Sequence, residues 1–547
     1  MRLNYYYNFK NTIRFFMNIE NIDFSMIDLG VHCWTEPFNF RIRKTENSFR
    51  TLQIPNIYNF KIAYEYYKNK ITEFTYNFDH FELLDSHKRM EISYELGEFK
   101  ENSYDAWKLD DFQKLIDYDY LLRYDIKSFY ENIYTHYIFN DKTIDKYVDK
   151  PLSHLYNGRT AGIVMGNYIS LFSAEVLLKR ISENFQSKIE SENINCYFSY
   201  FSDDFYIFVN KNDVEKITSL FDETLEKFNL VRNIYKIVKY NYLEYSNNDK
   251  IEKYWKTITR ECKNQQNYQN YLKLTGELKF DNNLFFTNQL IYRLNKLDDY
   301  REKRVFIINF FKSKFYRNID FSKTIICGYN YHQILFLIKQ FPEICLYIDN
   351  LIDNIEEFKS EDFKEKIKSF YLNSLKKNYH EEQLYYLYLI YKLNYLDNVK
   401  SLDINSMVLD SRNYILISYY IKYNLFSEEN LEMLKNMEIE ECYWLVYYYL
   451  IIYDADLYSN LEDSVKKYLI PNNANSDNNK NAYKNFYIKN IKDRNEILYN
   501  FDEVNKNLEN YFLVKNHETS TEDNNEEWNN HEDFDDVEEF DLKYVNE

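Results

Sequence analysis

Between Tyr197 and Asn210 the chain reads Tyr-Phe-Ser-Tyr-Phe-Ser-Asp-Asp-Phe-Tyr-Ile-Phe-Val-Asn, two aromatic, β-prone runs that meet at adjacent carboxylates. Runs of this kind on either side of a short polar pair predict a β-hairpin with Asp203 and Asp204 at its tip. Two such carboxylates repel each other and add nothing to the fold unless a cation lies between them. Upstream, the strand-like Leu121-Leu122-Arg123-Tyr124 delivers a third acid, Asp125. Three acids on neighbouring strand ends make a cage for hard divalent cations, the arrangement that two-metal phosphoryl transfer uses.

Around these acids the pattern alternates. Strands are expected at Tyr118–Ile126, Cys196–Ser202 and Phe205–Asn210, with Leu230–Tyr240 as strand or extended chain; helices are expected at Glu131–Phe139, Asn167–Phe185 and Asp213–Phe228. This is an α+β pattern whose antiparallel strands meet at the acids. Residues 1 to about 115 mix short apolar runs with turns, and Arg50-Thr-Leu-Gln-Ile-Pro55 followed by Ile57–Tyr67 reads as a strand, a proline stop and an aromatic-faced helix. After about residue 250, apolar and aromatic residues recur at helical spacing. Helices are predicted at Tyr331–Phe341, Glu343–Phe358, Glu382–Leu396, Ser411–Leu425 and Glu440–Tyr453, in a helical-repeat-like array.

The net charge of −19 runs against nucleic-acid binding, since phosphate contacts come from Lys and Arg. Much of it is local: from His517 to Glu547 there are 13 acids and one lysine, a composition that predicts disorder. The rest is mildly acidic, with basic stretches at Arg41-Ile-Arg-Lys44 and Lys236–Lys239, and lacks a surface for gripping long duplexes. The six cysteines form no C-x-x-C pair, which predicts reduced thiols and no zinc site. The longest apolar run, Cys442–Tyr453, is far shorter than the ~20 residues a membrane helix needs, and the polar, charged start predicts no secretory leader. A soluble cytoplasmic protein without membrane contacts is expected.

The chemistry-bearing residues come in order. In Tyr124-Asp-Ile-Lys-Ser-Phe-Tyr-Glu-Asn-Ile-Tyr-Thr-His136, Asp125 is able to bind both metals and the Ile126 carbonyl to complete one shell. Tyr130 is placed to lie under the sugar of an incoming nucleotide and exclude a 2′-hydroxyl by bulk. In Gly162-Ile-Val-Met-Gly-Asn-Tyr-Ile-Ser170, Gly166 lets backbone approach a flat partner and Ser170 sets a hydroxyl at a helix start. Lys236, in Leu230-Val-Arg-Asn-Ile-Tyr-Lys, suits protonation of a leaving pyrophosphate, and the fork of donors on Arg50 suits a triphosphate. Singly, each has an ordinary reading as a packed turn, helix punctuation or a solvated lysine. His136 reads more simply as a turn residue than as a primer contact, and the aromatic helices at 385–395 and 442–453 read as core stripes. Together and in this order, with Asp203 78 residues after Asp125, they point to a nucleotide-polymerising site.

These motifs resemble those of reverse transcriptases: R-x-L-x-I-P, D-I-x-x-F-Y, G-x-x-x-G-x-x-x-S, F-x-D-D and N-x-x-K match the finger and palm motifs across roughly residues 38–240. Ile133-Tyr-Thr-His136, Arg50…Pro55-Asn-Ile-Tyr58 and the long helical C-terminus look more narrowly like the abortive-infection (Abi) polymerases of bacterial phage defence, the AbiA and AbiK group. The resemblance implies an N-terminal segment and fingers over 1–115, a palm over 116–250, a helical-repeat-like domain over 251–515 and an acidic disordered tail over 516–547. It implies Asp125, Asp203 and Asp204 as catalytic metal ligands with Ile126, two Mg²⁺ or Mn²⁺ ions, Arg50 and Lys236 as triphosphate contacts and Tyr130 as sugar gate. It further implies cytoplasmic homo-oligomers that make single-stranded DNA from dNTPs without a template, attached to a protein tyrosine. Tyr5, Tyr6 and Tyr7, in a flexible-looking N-terminal segment, are candidates for that tyrosine. Two departures stand out: Val164 where the family has Pro, and Phe201 where it has Tyr; both keep the metal site but put template handling in doubt. The alternatives are a defence reverse transcriptase templated by a noncoding RNA, and an idle palm whose helical array binds proteins.

Overall fold

The computed structural model describes residues 3–8, 10–31, 33–45, 48–71, 87–89, 92–93, 98–99, 103–138, 150–247, 290–297, 299–312, 316 and 328–508. The acidic tail read at 516–547 lies outside them, as does the stretch from 248 to 289.

The centre is a four-stranded antiparallel sheet, β6-β7-β5-β8, made of β5 (Tyr120–Asp125), β6 (Cys196–Phe201), β7 (Asp204–Val209) and β8 (Val238–Tyr240). Side chains alternate across it, as the twofold period of a strand requires. Tyr124, Phe198 and Phe205 turn to one face. There Phe185 of helix α4 (Tyr168–Ser191) and Phe221 of helix α5 (Val214–Glu226) meet them, with ring centroids 4.9 Å (Phe185–Phe198), 5.0 Å (Phe205–Phe221) and 5.6 Å (Tyr124–Phe221) apart. Helix α4 starts where Asn167 caps it, its side chain accepting from the Ser170 N–H at 2.9 Å. Leu121, Tyr206 and Phe208 turn to the other face and form a small second core with Leu115 of the helix Ser103–Asp117 and with Trp107.

An antiparallel pair, β1 (Phe38–Arg43) and β2 (Phe49–Ile54), lies upstream and leads through Pro55 into helix α2 (Ile57–Ile71), as Arg50–Pro55 and Ile57–Tyr67 predicted. A two-residue pair, β3 (Ile92–Ser93) with β4 (Glu98–Phe99), completes the strands among the described residues.

The C-terminal region is helical. Helix Glu361–Lys377 packs on α7 (His380–Lys392), α7 on α8 (Tyr414–Lys422) and α8 on α9 (Trp444–Tyr453), a succession of sequence neighbours as a helical-repeat-like array expects. Residues Trp444–Ile452 of α9 are buried all round, so the longest apolar run is a core helix. Among the described residues no helix is long and apolar enough to cross a membrane.

Several expected elements differ. Glu343–Phe358 is not one helix: Pro342 opens a 3₁₀ turn to Leu346, then come a short helix, Asp349–Asn354, and a second 3₁₀ turn. Proline at a first turn favours such a start, and Ile348 and Ile355 in non-helical conformations break the run. Leu230–Tyr240 is broken by a 3₁₀ turn at Ile234–Lys236, capped by the Asn233 side chain, before β8. Glu131–Phe139 shortens to helix α3 (Phe129–Asn132) and a 3₁₀ turn at Thr135–Tyr137, with Phe139 outside the described residues.

The boundaries near 115 and 250 do not divide the packing. One continuous buried cluster runs from Tyr6 to Leu508. Met17 bridges Leu498, and Phe16 sits edge-on to Tyr388, Tyr419 and Phe501.

Candidate active site

The turn between β6 and β7 is two residues long, Ser202 and Asp203, with Phe201 opposite Asp204. Ser202 takes a left-handed φ of 50°, as tight hairpin turns demand at their first position. On the other side of β7, Asp125 at the end of β5 lies opposite Asp204, and the Ile126 N–H donates to the Asp203 carbonyl at 3.2 Å. The backbone thus gathers all three acids at one end of the sheet, as the sequence predicted. Asp125 and Asp203 are buried, and the Asp204 side chain is 14% exposed.

The carboxylates are held by basic and amide groups. Lys236 Nζ reaches Asp125 Oδ1 at 2.5 Å, and Asn233 Nδ2 donates to Asp125 Oδ2 at 2.8 Å. The 3₁₀ turn that interrupts the expected strand is what brings them: Asn233 N–H also donates to the Asp125 carbonyl at 2.7 Å, locking the turn onto the strand end. Arg123, two residues before Asp125 and so on the same sheet face, donates from Nη2 to Asp204 Oδ2 at 2.6 Å. The Tyr206 phenol and Asp204 raise the Arg123 pKa against the pull of burial.

More cations lie close by. The Lys44 pKa is lowered by burial and by the charges of Arg50 and Lys236, with Asp125 opposing and Arg301 adding to the drop. Arg301, at the start of helix α6 (Tyr300–Lys312), is pushed down to about 10 by burial and by Arg123 and Arg50, with Asp299 and Asp204 opposing. Five basic side chains from four separate parts of the chain therefore share one electrostatic neighbourhood with Asp125 and Asp204. Sequence reasoning named Arg50 and Lys236 and missed Lys44, Arg123, Asn233 and Arg301. Arg123 was legible from strand alternation, and Lys44 from its basic run; nothing in the sequence tied Arg301 to this place.

The donors are the hard oxygens that Mg²⁺ or Mn²⁺ takes. Yet among the described residues no group of three or more His, Cys, Asp or Glu side chains is set to hold a metal ion. Asp125 and Asp204 instead direct carboxylate oxygens at Lys236 and Arg123. Donor type and strand placement fit a divalent cation; the side-chain arrangement does not. Ile126 is fully buried and forms an antiparallel bridge with Arg232.

Other expected site residues fare differently. Tyr130 is buried in α3, edge-on to Phe129 at 5.8 Å. Ser170 is fully buried in α4, away from any surface a substrate reaches, and its hydroxyl has no hydrogen-bond partner. Gly166 has a φ of 110°, and a Cβ there would meet Asn8 Nδ2 at 3.1 Å and Leu52 Cδ2 at 3.7 Å. Its freedom serves close approach to the chain's own N-terminal segment and β2 rather than to a flat partner. Tyr6 and Tyr7 belong to a helix, α1 (Leu3–Tyr7), and are core residues, not flexible ones: Tyr6 packs edge-on to Tyr64 and Tyr168, and the Tyr7 hydroxyl donates to the Pro55 carbonyl at 2.6 Å. The Tyr5 side chain lies outside what is described. His136 is exposed in its turn, edge-on to Tyr134 at 4.9 Å.

No family model and no curated protein matches this chain. Among solved structures it is similar to telomerase from Candida albicans, determined in complex with a fragment of telomeric RNA, at a TM-score of 0.29 and 11% identity. That alignment covers 78% of this chain and 66% of the telomerase chain, just under two thirds of it. A likeness this low carries no argument about fold or activity.

Proposed function

We propose that this protein is a nucleotidyltransferase of reverse-transcriptase type that adds deoxynucleotides from dNTPs. The observation that carries the reading is the strand register, which sets Asp125 opposite Asp204 with Asp203 in the adjoining turn, inside a ring of cationic side chains. In the reaction a hydroxyl attacks the α-phosphorus of a dNTP, the bond from that phosphorus to the bridging oxygen breaks, and pyrophosphate leaves.

Asp125, Asp203 and Asp204 would hold Mg²⁺ or Mn²⁺, whose charge, when bound, favours the attacking oxyanion and the leaving pyrophosphate. Asn233 orients Asp125. Lys236, released from Asp125, is within reach to give its proton to the leaving group. Arg50 contributes a forked donor pair for the triphosphate. Tyr130, buried behind the strand end, limits the room beside the sugar.

Template-independent, tyrosine-primed synthesis in antiphage defence is the finer form of this proposal. It is supported by the motif resemblance and by a body too acidic to hold long duplexes. The acceptor tyrosine is then neither Tyr6 nor Tyr7, whose rings are in the core.

The test is to incubate purified protein with dNTPs and Mg²⁺ or Mn²⁺, without template or primer. A protein band that shifts upward and collapses after DNase supports the full proposal, and peptide mapping identifies the linked tyrosine. Free product made only when an RNA is supplied replaces it with the noncoding-RNA-templated reading. No incorporation under any of these conditions, alongside retained protein binding, leaves the idle-palm scaffold.

A further inference from the structure

We propose that Arg301, from the helical region that follows the sheet, is a polyphosphate-binding residue of this site, closing over the β- and γ-phosphates of an incoming nucleoside triphosphate together with Lys44 and Arg50. The inference rests on the nucleotidyl-transfer reading and assigns the part of the substrate that this basic cluster takes.

The placement of Arg301 is built, not incidental. Helix α6 begins with Asp299 Oδ1 accepting from the Arg301 N–H at 2.9 Å. The next residue back, Tyr300, lies under the Arg43 guanidinium at 4.3 Å from the ring centroid and stacks on Phe341 at 5.8 Å. Arg43 is the last residue of β1, the immediate neighbour of Lys44, and it is tied in turn to Glu382 at 3.3 Å. One turn further along α6, Arg304 is buried between Glu343 at 2.8 Å and Glu381 at 3.1 Å. The helix is therefore fixed at two points, one on the β1–β2 pair and one on α7. Both fix Arg301 on the side where Lys44 leaves the strand.

What Arg301 faces is unusual for a basic side chain. Its surroundings are burial and other cations, Arg123 and Arg50, with Asp204 beyond. Lys44 senses the same set from the other side, namely Arg50, Lys236, Asp125 and Arg301. Gathering these cations opposes folding by like-charge repulsion and desolvation, and the three carboxylates present offset only part of it. A polyanion relieves the repulsion. The cluster is electrostatically prepared for a ligand with several negative charges on a short chain of phosphates, and Arg gives bidentate contacts to such oxygens.

Three variants and two probes test this. Steady-state kinetics with dNTP and Mn²⁺ read the substrate's whole binding, and titration calorimetry with inorganic tripolyphosphate reads the cation seat alone. For R301Q the expected result is a KM raised roughly tenfold or more, with kcat within about threefold of the parent, as loss of a charged hydrogen bond to the bound phosphates implies. Tripolyphosphate affinity should fall by a similar factor, and affinity for a deoxynucleoside monophosphate should hold. R301K should be intermediate, keeping the charge and losing the fork. K44Q should weaken tripolyphosphate in the same direction.

An R301Q protein whose KM and tripolyphosphate affinity stay within about twofold of the parent overturns the proposal. If R301Q loses its cooperative melt, R301K is judged on the same two measurements, and unchanged values there overturn it as well. The two readings separate cleanly. A parent that binds tripolyphosphate through Arg301 but incorporates no nucleotide refutes polymerisation and keeps the seat. A parent that polymerises with no dependence on Arg301 refutes the seat and keeps polymerisation.

Discussion

Glu381 ties together three distant parts of the chain, and its substitution by Gln tests whether that tie sets the site. Its carboxylate accepts from Thr12 Oγ1 at 2.9 Å and from the Tyr385 hydroxyl at 2.7 Å, and pairs with Arg304 and Lys10 at 3.1 Å each. Burial pushes its pKa up, but Lys10 and Arg304 and the two hydroxyls outweigh it and hold the group at about 2 against an ordinary 4.5. A carboxyl held that low stabilises the folded state at neutral pH by about 3 kcal/mol. Removing one partner of a buried pair costs about 3–5 kcal/mol, and Arg304 keeps Glu343, which points to the lower end. E381Q, which preserves volume, should therefore lose about 3 kcal/mol of unfolding free energy in urea at pH 7. The folded-state pKa is depressed, so the contribution is complete above about 4.5 and fades as pH falls toward about 2. The gap between parent and variant should close over that window. Because Arg304 and Arg301 share helix α6, the folded variant should also show a raised KM for dNTP. Equal unfolding free energies at pH 7, or a gap that persists at pH 2, would refute the reasoning.

Asp203→Asn with Asp204→Asn should abolish dNTP incorporation, measured by primer-free labelling, while breaking the Arg123 contact lowers stability by about 1–2 kcal/mol; full activity would sink the polymerase reading. Tyr130→Ala should relax discrimination against ribonucleotides by roughly tenfold to two-hundredfold, and the cavity left by a buried ring should lower stability by about 3 kcal/mol. Unchanged selectivity in an active variant would assign Tyr130 to packing alone. Gly166→Ala should destabilise by about 1–3 kcal/mol, because φ 110° is strained for a side chain, and should leave KM for dNTP as it was in the folded fraction. A raised KM without loss of stability would restore a substrate role to Gly166.

The sheet at the acids was legible because strand periodicity and turn chemistry are local. Aromatic runs flanking Ser202 and Asp203 leave few other conformations, and the alternation that buries Tyr124 and Phe205 turns Asp125 and Asp204 outward together. Local signals failed where tertiary contact decided. Tyr6 and Tyr7 look like a mobile polar-aromatic end, yet Tyr64, Tyr168 and the Pro55 carbonyl take them into the core. Ser170 has the same cap-region signature as an exposed hydroxyl, and the burial of α4 on all sides of its first turn hides it. The helix expected at Glu343–Phe358 has the right apolar spacing, but Pro342 and the non-helical Ile348 and Ile355 divide it. Arg301 was beyond reach for a different reason: its partners are more than 170 residues away in sequence, and only the bolting of α6 to β1 and α7 brings it near them.

The same geometry resolves the conflict between a net charge of −19 and a phosphate-handling site. Non-specific affinity for nucleic acid scales with the cations spread over a surface, whereas a single triphosphate senses only those within about a Debye length, ~8 Å at physiological salt. Here the acids are dispersed and concentrated in the tail, and Lys44, Arg50, Arg123, Lys236 and Arg301 converge on two carboxylates. A chain built this way holds a small polyanion firmly and a long duplex weakly. Arg123 and Lys236 also stand where a divalent cation would compete for Asp204 and Asp125, so substrate and metal act on the same ion pairs. A triphosphate that draws Arg123 and Lys236 toward its oxygens frees the carboxylates they hold, and it does so at the strand ends where the attacking and leaving oxygens must be held.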